Sequence, residues 1–139
     1  KLESLIKDCG LYKSKAKNLI ATCQILVDQY HGEVPREFDQ LVELPGVGRK
    51  TANVVVSVLF GTPAIAVDTH VFRVSNRLKL GIAKTPEEME QKLQKAIPKK
   101  DWAAAHHWLI YHGRRLCKAR KPLCNECFLN HLCPSAGKV

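Results

Sequence analysis

A chain of 139 residues that is 45% hydrophobic and 25% charged can form one compact unit or two small lobes, burying roughly two thirds of the surface its unfolded form exposes. Its 22 Lys and Arg against 13 Asp and Glu give a net charge of +9, which for this size points to a polyanionic partner, nucleic acid first. No run approaches the roughly 18 apolar residues of a membrane span, and Lys1-Leu2-Glu3-Ser4 does not open a signal peptide. The expectation is a soluble intracellular protein with no membrane partner.

Apolar spacing predicts helices almost throughout. Leu2, Leu5, Ile6 and Cys9 repeat at helical spacing and stop at Gly10, and Ala16, Leu19, Ile20, Cys23, Leu26, Val27 and Tyr30 do so from a Ser14 cap to Gly32. Cys9 and Cys23 lie on these apolar faces and read as buried small hydrophobes. A short helix is expected over 36–44 after Pro35, then a Gly-rich turn, then a helix over 49–60 ended by Gly61. Ala64 to Val67 is a connector, after which Asp68 or Thr69 can cap a helix carrying Val71, Val74, Leu78 and Leu80. Thr85-Pro86-Glu87-Glu88 reads as a capping box with Pro at the first helical position, placing Met89, Leu93 and Ile97 inward. Asp101 is expected to cap a last helix over 102–116. No strand alternation or internal repeat stands out, so the fold class is all-α.

Lys50 carries the chemistry. It follows Leu44-Pro45-Gly46-Val47-Gly48-Arg49, a turn whose glycines free backbone N–H groups at a helix start, a site that favours anions. An ammonium there meets the positive end of the helix dipole and the like charge of Arg49, and any desolvation adds to both in favouring a neutral, nucleophilic amine. Asp68, in Val67-Asp68-Thr69-His70, is the candidate carboxylate partner. The blander readings are a solvated lysine and a helix cap, the second compatible with catalysis.

Cys117, Cys124, Cys127 and Cys133 form a C-x6-C-x2-C-x5-C run. Four soft thiolates so close invite a metal centre. Only Cys124 and Cys127 are paired at knuckle spacing, so the uneven run suits an iron–sulfur cluster better than zinc, which stays open. A disulfide pair is the blander alternative, with nothing else suggesting an oxidising compartment.

The hairpin with Lys50, the Asp68 segment and the cysteine run, in this order, resemble the endonuclease III family: helix-hairpin-helix DNA glycosylases with lyase activity and an iron–sulfur cluster. The resemblance spans nearly the whole chain, Gly10-Leu11-Tyr12-Lys13 and 106–115 included. It implies a helical lobe over 1–62 and an iron–sulfur cluster lobe over 63–139, with the active site in the cleft between them. Family members carry further N-terminal helices that would precede Lys1, so the chain is expected to be truncated. The implied function is base excision repair: removing oxidised pyrimidines from duplex DNA and nicking the abasic site by β-elimination through a Schiff base on Lys50, with Asp68 ionised. The four cysteines would hold a [4Fe–4S] cluster. The partner would be double-stranded DNA containing damaged pyrimidines or abasic sites, bound by a monomer in the cytoplasm at the nucleoid.

Further residues follow from the resemblance and from their chemistry. The amides of Gly46 and Gly48 can approach a phosphate, with Arg49 and His70 beside the site. Lys118, Arg120 and Lys121 could form a basic finger or a merely solubilising loop. The carbonyls of Val42, Leu44 and Val47 match a monovalent cation site. Leu11 matches a residue wedged into the base stack, or is simply a helix C-cap contact. His70, His106, His107 and His112 read as structural or phosphate-contacting. A non-catalytic hairpin DNA-binding module, a redox or structural metal protein, and an adenine-specific mismatch glycosylase are the rivals. The pairing of Lys50 with Asp68 disfavours the first two, and Lys50 itself disfavours the third.

Overall fold

The computed structural model describes all of residues 1–139. The chain is helical: α1 (Leu2–Leu5), α2 (Tyr12–Tyr30), α3 (Phe38–Val42), α4 (Arg49–Phe60), α5 (Thr69–Leu78), α6 (Pro86–Ala96) and α7 (Trp102–Arg115), with 3-10 turns at Lys99–Asp101, Cys124–Glu126 and Asn130–Leu132. It divides into two compact units, Lys1–Ala52 and Asn53–Val139. The division falls within α4.

In the first unit several helix ends depart from expectation. The first helix stops at Leu5 instead of running to Gly10. α2 begins before Ser14, which makes no cap; Leu11 precedes it in the left-handed region at φ 58. α2 ends at Tyr30, and His31 and Gly32 both turn left-handed. Its expected core face is largely uncovered: Ala16 is buried, whereas Leu19, Ile20 and Val27 are exposed. Cys9 and Cys23 are exposed as well, because spacing defines a face but does not supply the element that covers it. Leu41 and Leu44 are buried around the turn.

The second unit is built on Ile65, Val67, Val71, Val74, Met89, Leu93, Ala105 and Leu109, side chains whose burial stabilises by roughly 1.5–3 kcal/mol for each of the larger ones. α5 packs on α7 at Gly113, where a Cβ would lie 3.0 Å from His70 Cβ and 3.1 Å from Val74 Cγ2. Buried His106 pairs its Nδ1 with the Ala66 carbonyl at 2.7 Å, tying α7 to the connector. Thr85 caps α6 by accepting from the Glu88 N–H, and Pro86 is its first residue. The capping box is only half made, since the Glu88 carboxylate accepts from the Lys84 N–H. Asp101 precedes α7 without a side-chain cap bond, because a 3-10 turn already leads into that helix.

Candidate active site and metal centre

The turn before α4 is tightly specified. The Val47 N–H donates to the Leu44 carbonyl at 3.0 Å and the Thr22 hydroxyl to the Pro45 carbonyl at 2.9 Å. Gly46 has φ +76, and a Cβ there would meet Asn18 Nδ2 at 2.6 Å. Gly48 accepts from the Ala52 N–H at 3.0 Å and so heads α4, with no heavy atom within 4 Å of its own Cβ position. A helix start such as this one favours an approaching anion. Arg49 lies over the Phe38 ring at 5.1 Å. Lys50, in the first turn of α4, is exposed, so its own surroundings do not desolvate it. Of the three carbonyls matched to a cation, that of Leu44 already accepts the Val47 N–H.

Asp68 caps α5. Its Oδ1 accepts from the N–H groups of His70 and Val71, both at 2.8 Å. Both bonds use one oxygen, leaving Oδ2 for other chemistry. The helix start favours a negative charge there. His70 Nδ1 lies 3.1 Å from Arg73 Nη2, and Arg73 also donates to the carbonyls of Gly113 and Cys117. Lys50 belongs to the first compact unit and Asp68 to the second.

The four C-terminal cysteines are free and half-buried, and all four border one cavity with Arg77, Leu78, His112, Leu116 and Leu123. No three donors converge closely enough for one metal ion; around a single zinc, sulfurs would approach to roughly 3.8 Å. Four thiols set around a space rather than a point suit a polynuclear cluster. Two of the sulfurs have nitrogen neighbours: Arg77 Nη1 donates to Cys117 Sγ at 3.4 Å, and His112 Nε2 lies 3.7 Å from Cys127 Sγ. Burial pushes the His112 pKa below its ordinary value. Arg77 also holds the Lys118 and Ala119 carbonyls, at 2.7 and 3.2 Å. Lys118, Arg120 and Lys121 are exposed beyond them.

Arg73, Arg77 and the role of His112 escape sequence reasoning. Their one legible signal is two arginines at i, i+4 spacing on one helix face. Leu11 is 80% exposed, so it is not a packed cap contact.

Comparisons with known proteins identify the relatives of this chain. Residues 117–133 match the iron–sulfur binding domain of endonuclease III, and the cofactor is a [4Fe–4S] cluster. Endonuclease III from Escherichia coli (strain K12) is 52% identical over 138 residues, 99% of this chain and 65% of the relative. That from Bacillus subtilis (strain 168) is 54% identical over 140 residues, 99% of this chain and 63% of the relative. The chain thus spans just under two thirds of the length of these relatives. A solved structure of a trapped covalent endonuclease III–DNA intermediate superimposes with a TM-score of 0.92 at 54% identity, over 97% of this chain and 64% of that one. Residues 1–99 match the profile of the HhH-GPD superfamily of base excision DNA repair proteins, and the chain belongs to that superfamily.

Proposed function

We propose that this chain carries the chemistry of a base excision repair enzyme, a monomeric DNA glycosylase and abasic-site lyase that removes oxidised pyrimidines from duplex DNA in the cytoplasm, at the nucleoid. The observation that carries the reading is Lys50, exposed in the first turn of α4 just past the Gly-rich hairpin. In this reading the Lys50 amine attacks the sugar C1′, the base leaves, and a Schiff base forms. The Schiff base acidifies the C2′ proton, whose removal breaks the C3′–O bond and releases the 3′ phosphate. That a relative's DNA complex is a covalent intermediate supports this chemistry. Bound DNA would supply the desolvation that the exposed lysine lacks. Asp68, with Oδ1 holding α5 and Oδ2 free, would stabilise positive charge on the sugar and take the lysine proton.

Binding would use phosphate contacts without base information. Gly48, open to approach, and Gly46 would present amides to a phosphate; Arg49, Lys118, Arg120 and Lys121 would neutralise others. With Arg73 donating to Nδ1, His70 carries its proton on Nε2 and can donate to a phosphate. Leu11 would wedge into the stack vacated by a flipped base, and the carbonyls of Val42, Leu44 and Val47 would hold a monovalent cation. Cys117, Cys124, Cys127 and Cys133 would be the ligands of the cluster, which cross-links a segment with few apolar residues of its own. Residues 1–62 would supply hairpin and nucleophile, and 63–139 Asp68 and the cluster.

The test is borohydride reduction of the protein mixed with duplex DNA carrying an oxidised pyrimidine or an abasic site. A denaturation-resistant complex, absent with undamaged duplex, is expected. No complex with either lesion overturns the reading.

A further inference from the structure

Two side chains outside the proposed ligands bring nitrogens to the thiols. Arg77, on α5, has Nη1 at 3.4 Å from Cys117 Sγ, and its guanidinium is oriented by the Lys118 and Ala119 carbonyls. His112, on α7, has Nε2 at 3.7 Å from Cys127 Sγ, and the edge-to-face contact of its ring with Phe128, centroids 5.7 Å apart, holds the ring in place. The other two sulfurs differ. Cys133 Sγ faces an acceptor, the Arg77 carbonyl, at 3.8 Å, and no donor reaches Cys124.

We propose that Arg77 and His112 are positioning residues that set the reduction potential of the cluster through hydrogen bonds to the Cys117 and Cys127 thiolates. Each thiolate is negative and an added electron increases the negative charge, so donors at the sulfurs stabilise the reduced member of the couple and raise its potential. Arg77 has the larger effect, because it brings a full charge to a half-buried sulfur at 3.4 Å, whereas His112 stands farther off at 3.7 Å. The two donors act on different ligands, so their effects add.

This inference rests on the four cysteines being the cluster ligands, which iron and acid-labile sulfide in the unaltered protein test separately. Arg77→Met, Arg77→Lys and His112→Phe are prepared with the cluster loaded, and their potentials are read by protein-film voltammetry, with the electron paramagnetic resonance spectrum of the oxidised cluster as the second readout. Arg77→Met should lower the ratio of reduced to oxidised cluster at fixed potential about tenfold, about 59 mV for one electron. Arg77→Lys should recover part of the shift, and His112→Phe should move it less but in the same direction. If Arg77→Met does not retain a cluster, His112→Phe and Arg77→Lys carry the test. Loaded variants with unchanged or raised potentials would show that Arg77 and His112 merely brace the loop, and the proposal would fail.

Discussion

Gly46 and Gly48 flank a single residue, yet their surroundings assign them different work. At Gly46, φ is +76 and an added Cβ would lie 2.6 Å from Asn18 Nδ2 and 2.9 Å from Asn18 Cβ. The left-handed backbone costs an L-residue roughly 1–2 kcal/mol. Asn18 Cβ belongs to the helix itself and cannot swing away, so overpacking adds roughly 1–3 kcal/mol. Gly46→Ala should therefore destabilise by roughly 2–5 kcal/mol and lower Tm by roughly 10 °C or more. At Gly48 nothing lies within 4 Å and φ is outside the left-handed region, so Gly48→Ala costs only the cap preference, about 0.5–1 kcal/mol. Its effect falls on binding. A methyl group at the head of α4 would hold a phosphate away from amides whose hydrogen bond to a charged group is worth roughly 1.5–3 kcal/mol, so affinity should fall about ten- to a hundredfold. Thermal denaturation followed by circular dichroism gives the first quantity. Anisotropy titration of a duplex with a non-cleavable abasic-site analogue gives the second. Full affinity in Gly48→Ala, or wild-type stability in Gly46→Ala, would refute the division of roles.

Asp68→Asn keeps an oxygen to accept from His70 and Val71, so stability should fall by less than about 1 kcal/mol; single-turnover cleavage of damaged duplex should drop about a hundredfold or more, and an unchanged rate would reduce Asp68 to a cap. Replacing Lys118, Arg120 and Lys121 together by Ala should flatten the plot of log affinity against log salt by up to about 2.7 units if each touches a phosphate. An unaltered slope would turn that loop away from DNA. Cys127→Ala should lose iron and speed amide hydrogen exchange over 117–139 before the Val71, Val74, Met89 and Leu93 core opens; simultaneous loss would contradict a cluster acting locally.

Local signals were the legible ones. The helix over 49–60 matches α4 end to end, and Asp68 and Thr85 make the caps expected of them, because a cap, a glycine or an early proline acts within one turn of chain. Ser14 and Asp101 failed for the same reason turned around: an acceptor can stand near a helix start while a left-handed Leu11 or a 3-10 turn takes the chain into the helix instead. The apolar repeat of α2 identified a face, but Leu19, Ile20, Val27 and Cys23 remain exposed on it, since burial depends on what packs there. The cysteine spacing marked a metal centre. It carried no trace of Arg77 beside Cys117, a contact spanning 40 residues of chain, because the charge of an arginine is visible in a sequence and its partner is not.

The central claim is that the Lys50 amine is the nucleophile. Borohydride-trapped complex formed on an abasic-site duplex, digested with nuclease and protease and mapped by mass spectrometry, reports the modified residue directly. The sugar remnant is expected on Lys50, with Lys50→Gln giving no trapped complex while still binding the duplex. A remnant on any other amine, or undiminished trapping by Lys50→Gln, would contradict the account.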